Sequence, residues 1–113
     1  MSAPYDYYEH NVVGTLNLLR VMRRHAVDRI VFSSTAAVFG NPVAALIDED
    51  HPKAPINPYG ASKLMAEDIL RDLMASDPSW RVAILRYFNP AGAHDSGMLG
   101  ENPNGIPNNL MPY

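Results

Sequence analysis

Cysteine is missing from the 113 residues, which excludes disulfides and thiolate catalysis and leaves the redox compartment unreadable from thiols. Long apolar runs are missing too. None approaches the ~20 residues that a membrane-spanning helix requires, so no membrane partner is expected. Met1-Ser2-Ala3-Pro4 carries neither the basic nor the apolar region of a signal peptide, and a cytoplasmic location is the expectation. Basic charge is scarce: 9 Lys and Arg stand against 12 Asp and Glu, and no basic block exceeds Arg23-Arg24, so a nucleic-acid surface is not expected. The 4 histidines, His10, His25, His51 and His94, lack metal-ligand spacing, which leaves them loop or surface roles and predicts no metal centre. Neither Gly-x-Ser-x-Gly nor Ser-x-x-Lys surrounds Ser33, Ser34 or Ser62, which removes the serine-hydrolase reading. Ser33 and Ser34 are then expected to satisfy backbone groups at a strand end. Asp48-Glu49-Asp50 reads as a solvated loop.

What remains is a chain that is 47% hydrophobic and 19% charged, one globular unit at most. From about Tyr8 to His25, Val12, Val13, Leu16, Leu19 and Met22 recur at helical steps and predict one buried stripe, with Asn17, Arg20, Arg23 and Arg24 outside. Gly14 within it costs about 1 kcal/mol against alanine, which predicts a close approach of helix to sheet. Ile30-Val31-Phe32 and Val82-Ala83-Ile84-Leu85 read as strands covered on both faces. A second helix runs from Tyr59 to about Ser76 on Leu64, Met65, Ile69, Leu73 and Met74, with Glu67, Asp68, Arg71 and Asp72 outside, and Asp77-Pro78 ends it. Helix, strand, helix, strand is the signature of a parallel sheet with helical crossovers, an α/β fold. Residues 89–113 mix Gly92, Gly97, Gly100 and Gly105 with Pro90, Pro103, Pro107 and Pro112 and have no period, the texture of a binding loop. Two strands do not complete a doubly wound sheet, and three or more are generally needed for independent stability. The sequence therefore reads as an internal piece of a larger protein.

The chemistry concentrates in Pro58-Tyr59-Gly60-Ala61-Ser62-Lys63. One helical turn places the Tyr59 phenol and the Lys63 ammonium on the same face. A neighbouring cation favours phenolate and draws a tyrosine down from its usual value near ~10. A phenol so tuned serves as general base or acid. Upstream, the strand-like Arg29-Ile30-Val31-Phe32-Ser33-Ser34-Thr35 ends in hydroxyls. The alternative for Tyr59 and Lys63 is an aromatic ring packed under a lysine stem.

Five segments together carry a resemblance: Asn11-Val12-Val13-Gly14-Thr15, Val31 through Gly40, Asn57 through Lys63, Leu85-Arg86-Tyr87-Phe88-Asn89-Pro90, and Gly105 through Tyr113. They resemble the extended short-chain dehydrogenase/reductases and, within them, the UDP-glucose 4-epimerase family. That resemblance implies a partial Rossmann-type doubly wound parallel sheet, lacking the first βαβ unit and the C-terminal substrate part. Residues 1–88 would form the central part of an NAD-binding domain, and residues 89–113 an irregular sugar-nucleotide-binding loop region. It further implies NAD as cofactor, a UDP-hexose as substrate, and oxidation followed by re-reduction at hexose C4, interconverting UDP-glucose and UDP-galactose. By the same resemblance Tyr59 is the base, Lys63 tunes it and holds the nicotinamide ribose, and Thr35 supplies the hydroxyl for which serine is frequent. Asn11, Ser33, Tyr87 and Phe88 fall on the cofactor side. Ala36, Ala37, Asn89, Asn108, Asn109 and Leu110 fall on the substrate side. Relatives of this kind are often homodimers. His10 and Phe39 depart from the asparagine and tyrosine frequent at their positions.

Two other functions compete. Dehydration of a nucleotide sugar uses the same Tyr and Lys but needs a further acid and base; Ala36 and Ala37 follow Thr35 where dehydratases carry acidic residues. A non-catalytic fragment is the third, because no Gly-x-Gly-x-x-Gly phosphate cradle occurs in the sequence. The 113-residue chain is accordingly expected to be inactive alone.

Overall fold

The computed structural model describes residues 3–92 and 94–98. The chain opens with helix α1 (Pro4–Tyr8), passes through a π-helical turn (Glu9–Val13) and continues as α2 (Gly14–Arg24). Strand β1 (Arg29–Thr35), a 3-10 turn (Ala36–Val38), helix α3 (Pro58–Ser76) and strand β2 (Arg81–Tyr87) follow. The two strands pair in parallel, from Arg29 opposite Arg81 to Thr35 opposite Tyr87. The sheet order is thus the expected one, with α3 as crossover.

Alternation decides what each strand buries. Ile30, Phe32, Val82 and Ile84 share one face and pack on a core of Leu19, Met22, Leu70 and Trp80. The other face is open: Val31 is 67% exposed and Leu85 is also exposed. The continuous apolar runs had predicted strands covered on both sides. Among the described residues the helices cover only one, so that expectation is corrected.

The first helix also differs from its sequence pattern. The Gly14 amide donates to the Glu9 carbonyl, five residues back, which widens the turn and inserts one extra residue into the helical phase. Val12 and Val13 therefore leave the stripe of Leu19 and Met22, and Val13 is exposed. Gly14 makes no close approach to the sheet: a β-carbon there would meet only the Glu9 carbonyl oxygen at 3.9 Å. The close approach falls at Gly60, where a β-carbon would lie 2.5 Å from the Ala37 carbonyl oxygen. That contact sets the first turn of α3 directly on the 3-10 turn after β1.

Helix α3 starts where its sequence says it should. The Asn57 side chain accepts from the Gly60 amide at 2.8 Å and Pro58 occupies the first turn. Its buried residues are Gly60, Ser62, Ala66, Glu67 and Leu70, while Met65 is exposed. Glu67 was expected outside; its side chain is 0% exposed.

Candidate active site

Parallel strands leave their carboxyl ends open where crossover helices begin, and ligands of open α/β sheets bind there. Here the end of β1 meets the head of α3. The Lys63 ammonium donates to the Ser33 carbonyl at 2.8 Å and lies 4.7 Å from the centre of the Phe32 ring. Partial burial draws its pKa below the ordinary lysine value. One turn earlier, Tyr59 is 38% exposed and its ring meets Tyr7 edge-on at 6.1 Å. The Thr35 hydroxyl oxygen accepts from the Ala37 amide at 3.1 Å and caps the 3-10 turn. Ala36 and Ala37 form that turn beneath Gly60. The fold thus gathers Ser33, Thr35, Ala36, Ala37, Tyr59 and Lys63 at one strand end. Among the described residues the Tyr59 hydroxyl makes no hydrogen bond, so Lys63 does not contact it through one.

Asn11 stands on the π turn, and its amide donates to Ser62 Oγ at 2.9 Å. Ser62 in turn donates to the Tyr59 carbonyl at 2.9 Å. The Asn11 carbonyl accepts from the Thr15 hydroxyl at 2.6 Å. Asn11 was expected on the cofactor side, and its amide joins the first helix to the helix of Tyr59 and Lys63.

On the strand neighbouring β1, Tyr87 pairs with Thr35, and Phe88 follows it, more than half exposed. Phe88 stacks on Phe39 with ring centres 6.4 Å apart. Phe39 is buried, takes the edge of His51 at 5.5 Å and lies under the Arg86 guanidinium at 5.1 Å. Phe39 is therefore packing, and no hydroxyl is needed there. His51 is a loop residue as expected, but a buried one: its Nε2 accepts from the Val43 amide and its Nδ1 donates to the Pro52 carbonyl. A groove of about 640 Å³ borders this aromatic shelf, lined among others by Glu49, Lys53, Arg86 and Tyr87. Tyr59 and Lys63 do not line it, so it is a neighbour of the strand-end cluster and not the same place. Asn89 is exposed. Asn108, Asn109 and Leu110 lie outside the described residues.

Sequence reasoning missed one centre entirely. Ser34, expected to satisfy only backbone, donates to Glu67 Oε1 at 2.5 Å. Arg86 reaches the same carboxylate through Nε at 3.0 Å and Nη2 at 2.8 Å, and Arg71 through Nη2 at 2.7 Å. Burial alone would raise the Glu67 pKa, but the hydrogen bonds from Arg86, Ser34 and Arg71 outweigh it and lower the value from 4.5 to about 2. Arg86 is raised above its ordinary value by the same bond. The signal lay in the strand period: Ser34 and Arg86 are paired neighbours on the covered face, and two polar residues there require a polar partner above them.

A family model described as the NAD dependent epimerase/dehydratase family matches residues 1–113. The chain belongs to this family. Among family members, UDP-glucose 4-epimerase 2 of Oryza sativa subsp. japonica is 57% identical over 110 residues, covering 97% of this chain and 27% of the relative. UDP-glucose 4-epimerase of Bacillus subtilis (strain 168) is 56% identical over 113 residues, covering 100% of this chain and 33% of the relative. The chain thus spans about a third of the length of the family members it matches. Among solved structures, UDP-glucose 4-epimerase from Bifidobacterium longum in complex with NAD+ and UDP superposes with a TM-score of 0.85 at 55% identity, covering 95% of this chain and 32% of that one. The partial Rossmann-type α/β fold agrees with that superposition.

Proposed function

We propose that this chain supplies the catalytic helix and adjoining strand ends of a UDP-hexose 4-epimerase, within a protein of which it forms about a third. The observation that carries this reading is the meeting of the α3 head with the end of β1, where Lys63 bonds the Ser33 carbonyl and Gly60 rests on the turn capped by Thr35. Similarity to the rice and Bacillus epimerases supports the reaction and the substrate class.

In this reading Tyr59 is the group that takes and returns the proton of the hexose 4-hydroxyl. Its hydroxyl has no hydrogen-bond partner among the described residues, and its exposed edge is available to a substrate. Lys63 holds a positive charge one turn away on the same helix face. Its ammonium has three donors, of which one goes to Ser33, leaving others for the ribose of a nicotinamide nucleotide. Thr35 accepts from Ala37 and keeps its own hydroxyl hydrogen to orient the sugar oxygen. The donors and hydroxyls at the strand end therefore fit the nicotinamide end of NAD. Bound there, NAD supplies the hydride acceptor and donor for hexose C4. Tyr87 and Phe88 would wall the pocket, and Asn89, Asn108, Asn109 and Leu110 would reach the UDP part. Residues 1–88 serve the cofactor and 89–113 the sugar nucleotide, in a homodimer. Dehydration finds no support at Ala36 and Ala37, which offer neither acid nor base.

The test grafts this chain in place of the matching third of the Bifidobacterium longum enzyme and measures turnover of UDP-galactose. Turnover is expected in the graft and absent from the 113-residue chain alone. Tyr59→Phe should lower kcat about 100-fold or more, the scale of a lost general base. A graft unaffected by Tyr59→Phe would remove the phenol from this role.

A further inference from the structure

Glu67 is the only fully enclosed carboxylate among the described residues. Three elements meet at it, and a loop joins them through Arg86. Ser34 comes from β1, Arg86 from β2, Arg71 from α3 itself, and Arg86 carries a further donor to the Glu49 carbonyl of the loop between the 3-10 turn and α3, at 3.2 Å. Beneath the Arg86 guanidinium lies the Phe39 ring, which stacks on Phe88. Tyr59, Lys63 and Glu67 follow one another at four-residue steps, so the carboxylate continues the helix face that bears the two candidate catalytic groups.

A buried ion pair is a poor source of net stability, since desolvation offsets much of the attraction and an apolar replacement often does as well. What a two-pronged guanidinium–carboxylate pair does provide is direction, because both parallel bonds form in one orientation only. We infer that Glu67 is a positioning residue: by fixing the fork of Arg86 it sets the Phe39–Phe88 shelf at a defined place relative to the helix of Tyr59 and Lys63. The shelf flanks the strand end where the nicotinamide and sugar rings would lie, so its placement governs how they are held against Tyr59. This last consequence rests on the epimerase reading; the placement itself does not.

Placement is measured by nuclear Overhauser effects in the 113-residue chain. In Glu67→Gln, which keeps the shape and removes the charge, the effects between the Phe39 and Phe88 rings should disappear while those between Leu70 and Trp80 persist. If both sets vanish in Glu67→Gln, Arg86→Lys decides, because it keeps the charge without the fork. It should abolish the Phe39–Phe88 effects alone. Survival of the Phe39–Phe88 effects in the deciding variant, or disappearance of the Leu70–Trp80 effects along with them, would overturn the inference. In the graft, Glu67→Gln should lower kcat roughly tenfold with KM for UDP-galactose within about twofold, the pattern of misplaced reacting groups. An unchanged kcat would count against the kinetic consequence. A graft insensitive to Tyr59→Phe would fail the epimerase reading while leaving the resonance result intact.

Discussion

Protonating Glu67 removes the negative charge on which Arg86, Ser34 and Arg71 meet, and leaves a part-buried guanidinium without its counter-charge. Because its folded pKa, about 2, lies below the ordinary 4.5, the carboxylate contributes stability that is fully present above that ordinary value. The contribution is lost as pH falls from the ordinary value toward the folded one. A depression of this size corresponds to on the order of 3 kcal/mol at neutral pH. Urea unfolding of the 113-residue chain at neutral pH and near pH 3 should show this loss, and Glu67→Gln should remove most of the difference between the two. From sequence alone Glu67 and Arg71 look like a solvent-facing pair one turn apart. The gathering of Tyr59, Lys63 and Thr35 at one strand end was legible because their spacing and order are local. Glu67 was not, because its partners lie 33 and 19 residues away on two different strands.

Both strands and α3 could be read from apolar runs and from the breakers around them. The strands extend past the apolar core, because Ser33-Ser34-Thr35 and Arg86-Tyr87 continue the ladder with polar side chains. The first helix was read as one stripe, but the π turn shifts its phase after Val13, and a widened turn has no signature in residue spacing. Its other end is equally unmarked. The Val27 amide bonds the Met22 carbonyl at 2.9 Å and the Ala26 amide bonds the Arg23 carbonyl at 3.3 Å, a left-handed helix stop built on Ala26 with φ of 51°. Glycine is the usual residue there, since alanine strains a β-carbon against its own backbone. Ala26→Gly should therefore stabilise the chain by about 0.5–1 kcal/mol, read as a rise in the urea midpoint without a change in slope.

The described residues form a two-stranded parallel sheet with their helices on one side. That the sheet would be parallel and incomplete followed from the order of elements; that one face would be bare did not, because a run such as Ile30-Val31-Phe32 has the same composition whether one side or both are covered. Val31 stands in the middle of the bare face, two-thirds exposed, between neighbours that carry the core. A lysine side chain placed there would meet water and little else, and Val31→Lys should change the unfolding free energy of the 113-residue chain by no more than about 0.5 kcal/mol. In the graft, where the rest of an epimerase surrounds the segment, the same change should cost several times as much if that remainder roofs the sheet. One surface valine thereby becomes a gauge: the penalty for charging it measures how thoroughly foreign chain has dried the layer above.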